Sequence, residues 1–84
     1  TTALQSLALY NNDFMLRQAR YLAERVRSEA GANADDQLAR AFALALSRKP
    51  SAEEVRLAAQ FVESEGLFAF CRSLLNANEF VYVD

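Results

Sequence analysis

Only three residues in this chain break a helix strongly: Gly31, Pro50 and Gly66. Between them, apolar residues recur at spacings of three and four, the period of a helix with one buried face. No stretch before the last few residues alternates with the period of two that a half-buried strand needs. The three breakers cut 84 residues into pieces of ordinary helical length. The fold class that follows is all-α: a small bundle of four main helices plus a short N-terminal helix, with an extended C-terminal tail. A chain this short makes one domain, residues 1–84, and its core is small for its surface.

The pieces read as follows. A short helix over 2–10 opens on a capping box of Thr2 and Gln5, and Asn11-Asn12 ends it. The second helix runs over 13–30. Met15, Leu16, Ala19, Leu22, Ala23, Val26 and Ala30 fill one arc of roughly 120°, and Gly31 stops it. The third runs over 34–47 behind an Asn33 cap. It is apolar over most of its circumference, which predicts the central position. Ser51 and Glu54 form a capping box for the fourth, which Gly66 ends after residue 65. The fifth covers 67–77, with Leu67, Phe70, Cys71 and Leu74 on one side.

The closing run Asn78-Glu79-Phe80-Val81-Tyr82-Val83-Asp84 is rich in β-branched and aromatic residues. With no sheet to join, it is expected to lie extended, Phe80 and Tyr82 on one side and Val81 and Val83 on the other. Two roles are open to it. It closes its own core, or it docks on another domain.

Chemistry is constrained mainly by what the chain lacks. Histidine is absent, and with it the commonest metal ligand and general base. Cys71, the single cysteine, has no thiol partner for a disulfide or a CxxC site and is expected to be buried and inert. The acidic pairs Asp35-Asp36 and Glu53-Glu54 sit in first turns, where a helix dipole alone explains them. Arg17, Arg20 and Arg27 share a side with Asp13 and Glu24, as a solvated face does. Nine basic residues against eleven acidic ones leave a net charge of −2, which gives no footprint for nucleic acid. No apolar run approaches the ~20 residues of a membrane span. No catalytic residue, metal ligand or cofactor site is expected.

The candidate interaction residues are Phe14, Tyr21, Phe80 and Tyr82. Phe14 and Tyr21 are seven apart and share a face outside the main stripe. They are expected to meet the first helix, the tail or a second copy of the chain, because large aromatics dominate cores and interfaces. Asn76, Asn78 and Glu79 are expected at a helix C-terminus, with Glu79 paired to Arg48 or Arg72.

Three stretches, TTALQSLALYNNDF (1–14), LARAFALALSRKPSAEE (38–54) and CRSLLNANEFVYVD (71–84), resemble the C-terminal end of domain-of-unknown-function family 1553. The chain differs from the family pattern at Ala3 and Asp13, where proline is usual, and at Ser47, where glycine is usual. The resemblance implies a C-terminal piece of a longer, multidomain protein of the planctomycete type, periplasmic or secreted. A start at Thr1 without methionine agrees with a fragment. The resemblance brings no catalytic residue, and no CxxCH is present to attach haem.

The resulting expectation is a structural or protein-interaction module whose partners are the upstream domains of its parent, or a second copy. The alternative is an accessory part of an enzyme, lining a cleft for a carbohydrate-type substrate. Acidic and aromatic residues gathered around one pocket would favour the second, and an exposed apolar patch the first.

Overall fold

A computed structural model describes residues 13–83, with side chains over 13–77. Four helices follow one another: α1 (Asp13–Ala30), α2 (Ala34–Leu46), α3 (Ala52–Glu65) and α4 (Leu67–Val83). No strand occurs among the described residues. The short helix expected over 2–10 lies outside them.

Local chemistry sets each boundary. α1 stops where Gly31 adopts φ +76° and its N–H reaches the Arg27 carbonyl at 3.0 Å. That left-handed backbone is open to glycine at little steric cost. Asn33 then caps α2, its Oδ1 accepting the Asp36 N–H at 2.9 Å. α2 ends on Ser47, a non-glycine residue in the left-handed region at φ 58°. Ser51 opens α3 with the full capping box. Its Oγ accepts the Glu54 N–H at 3.1 Å, and Glu54 Oε1 accepts the Ser51 N–H at 2.9 Å. Gly66, at φ 95°, ends α3 through the Val62 carbonyl, and its own carbonyl starts α4 by accepting the Phe70 N–H at 3.1 Å.

The core is one cluster. α1 contributes Leu22, Ala23 and Val26, and α2 contributes Leu38, Ala41, Phe42 and Ala45. α4 adds Leu67, Phe70, Cys71 and Leu74, while α3 gives Ala58 alone. The most extensive helix–helix contact joins α1 to α4, and the next joins α1 to α2. Small residues lie on the buried face of α1: Ala19 and Ala23 are at most 1% exposed, where a small side chain lets its neighbours approach closely.

Two expectations need correction. α2 is not the single central helix. It touches α1, α3 and α4, but so does α4, and Ala39 and Ala43 of α2 face solvent. An alanine counts as apolar in a helical pattern, yet it carries little surface to bury and favours helix by propensity alone.

The second correction concerns the extended tail. The backbone expected to leave the helix after residue 77 stays helical to Val83. A nucleated helix adds a hydrogen bond with each further residue. The propensity penalty of valine, tyrosine, phenylalanine or asparagine is under ~1 kcal/mol apiece. The side chains of Phe80 and Tyr82, and hence the contacts expected of them, lie outside the described residues.

Candidate interaction surface

α3 sits on α2 and α4 with one small buried residue, and its other apolar side chains are left over. Leu57 is 51% exposed and Phe61 37%. Both are on α3, four residues apart and therefore neighbours on one face. Together with Phe42, Ala58 and Phe70 they line an open groove of about 260 Å³ between α2, α3 and α4. Three rings form its floor and one wall. Phe42 and Phe61 each lie 6.1 Å from Phe70, centroid to centroid, with tilted planes, a favoured arrangement for aromatic pairs.

The groove's one lining carboxylate, Glu54, is engaged by charge. Both terminal nitrogens of Arg48 donate to Glu54, each at 2.7 Å. The same guanidinium stands 5.5 Å from the Phe42 ring centroid, within cation–π range. Arg48, together with the Ser51 backbone N–H, holds the Glu54 carboxyl down at about 2, far below the ordinary carboxylate range. Arg48 is thus engaged by Glu54; the pairing of Glu79 expected with Arg48 or Arg72 involves a side chain outside the described residues. The partner was missed because Glu54 is six residues away across a loop, a distance no helical spacing rule covers.

The α1 face carries the other exposed aromatics. Phe14 is 57% exposed and Tyr21 63%, which agrees with their place off the buried stripe. Nearby, Glu29 accepts from Arg25 at 2.6 Å and from Arg40 at 2.5 Å, tying α1 to α2 across the surface. Arg25 and then Arg40 keep the Glu29 carboxyl low. Such exposed pairs add little stability.

Cys71 is fully buried, and desolvation pushes its thiol up to about 11, the condition of an inert cysteine. Among the described residues no three histidine, cysteine, aspartate or glutamate side chains gather as a metal site. No described helix is long and apolar enough to cross a membrane. Asn76, expected near a helix end, stands inside α4, with its Oδ1 buried and without a hydrogen-bond partner.

The family model described as "Protein of unknown function (DUF1553)" matches residues 1–62. That span includes the stretches 1–14 and 38–54 on which the resemblance rests, and it ends before the closing run 71–84. No curated protein and no solved structure matches the chain.

Proposed function

This chain belongs to the DUF1553 family, and on that premise we propose that it is a structural, protein-interaction module of a longer envelope or secreted protein. One observation carries the reading: Leu57 and Phe61 stand exposed over an aromatic groove whose single carboxylate, Glu54, is already held by Arg48. An apolar surface with its polar group internally satisfied suits burial against another protein surface. A cleft for a carbohydrate-type substrate calls for carboxylates free to act on the sugar beside the aromatic rings, and that groove supplies rings without a free carboxylate. The exposed pair Phe14 and Tyr21 on α1 offers a second apolar surface for such a contact.

A photo-crosslinking residue in place of Phe61 in the parent protein tests the reading. Adducts mapped by mass spectrometry to a segment outside residues 1–84 are expected. Adducts confined to water or solvent, with the same yield after denaturation, would sink it.

A further inference from the structure

Three concavities on the described surface differ in what their carboxylates do. In the aromatic groove, Glu54 is held by Arg48. In a second, between α1 and α2, Glu29 is held by Arg25 and Arg40, and Arg40 and Lys49 are themselves part of the lining. The third lies between the start of α2, the end of α3 and the start of α4. Its walls are Ala34 and Leu38, Ala59 and Val62, and Leu67. Glu63 is an exposed member of its lining and makes no hydrogen bond or ion pair with a described residue, and no described basic residue lines it. The Gln37 amide, also in the lining, is directed to the Gly31 carbonyl at 2.7 Å. This concavity is the most enclosed of the three and holds about 310 Å³.

We propose that this third concavity is an anchor site for a basic side chain of a partner protein segment, with its aliphatic stem against Leu38, Val62 and Leu67 and its cationic head on Glu63. The proposal rests on the interaction-module reading and specifies the chemistry of one contact. Lysine and arginine bury an apolar stem while keeping the charge at the edge. The shape of the site matches that division: apolar walls within, one uncommitted carboxylate at the rim. The local field agrees in sign. α3 ends at this concavity, so the negative end of its dipole adds to Glu63. The positive end of α2 is offset by its own first-turn acids, Asp35 and Asp36.

The test uses n-butylammonium as a lysine side-chain mimic, titrated into the full chain and followed by amide chemical shifts. Saturable shifts are expected at Leu38, Val62, Glu63 and Leu67. Butanol should bind about tenfold more weakly, the ratio one charge-assisted hydrogen bond supports. Glu63→Gln should erase that preference while leaving butanol binding intact. Ala59→Leu, at an exposed helical position that tolerates leucine, should block both. Non-saturating shifts spread over the acidic surface, or saturable shifts centred on Phe61, would overturn the assignment. So would an ammonium preference that survives Glu63→Gln. The two readings fail separately. Crosslinks at position 61 without butylammonium binding reject the anchor site alone, and binding without crosslinks rejects the module alone.

Discussion

α1, of 18 residues, and α3, of 14, each carry one apolar face, yet they are held very differently. α1 buries five side chains, Met15, Ala19, Leu22, Ala23 and Val26, and makes the largest contact in the bundle with α4. α3 buries Ala58 alone and leaves Leu57 and Phe61 half outside. The difference lies in where the large residues fall. In α1 small residues occupy the centre of the stripe, so the helices close over it. In α3 the bulky Leu57 and Phe61 lie at the edge of the stripe, where they widen the apolar face beyond what α2 and α4 can cover. A helix with more apolar face than its neighbours can bury is the expected form of a contact surface.

The comparison breaks most visibly at Phe42, which belongs to the core on one side and floors the groove on the other. Phe42→Ala removes a buried ring packed at a tilt against Phe70 and should cost ~3–5 kcal/mol, measured by denaturant titration. A loss below about 1 kcal/mol would show that the α2 seam is not part of the cooperative core.

The start of α3 comes next. Ser51→Ala removes the hydroxyl that accepts the Glu54 N–H and should cost about 1 kcal/mol. The carboxyl in the same box titrates in a definite direction. Its folded pKa, about 2, is depressed from an ordinary 4.5, so its stabilising contribution is complete above about 4.5 and is lost as pH falls towards 2. Stability measured across that window should decline, and Glu54→Gln should flatten the decline. An unchanged slope in the variant would mean that Arg48 does not hold Glu54 in solution.

A last substitution sharpens the contrast. Phe61→Ser should cost the isolated chain about 1–2 kcal/mol, well short of Phe42→Ala, because the ring is already 37% exposed. The same substitution should weaken association of the module with its partner surface. A loss as large as that at Phe42 would place Phe61 in the core and remove the distinction between the two helices.

Much of this molecule is legible in local sequence. The limits of α1, the Asn33 cap, the Ser51–Glu54 box and both glycine stops follow from contacts within about four residues, which a linear reading covers. The buried stripe of α1 follows as well, since helical periodicity places its members on one face. Four things needed the tertiary structure. Continuation of α4 to Val83 depends on cooperativity, which no single residue reports. The pairing of α1 with α4 brings together segments distant in the chain. The Arg48–Glu54 clamp spans a loop whose path sets the geometry. The exposure of Leu57 and Phe61 depends on how much surface α2 and α4 have left to offer. A helix encodes its own apolar face in its sequence, but how much of that face is covered is decided by its neighbours.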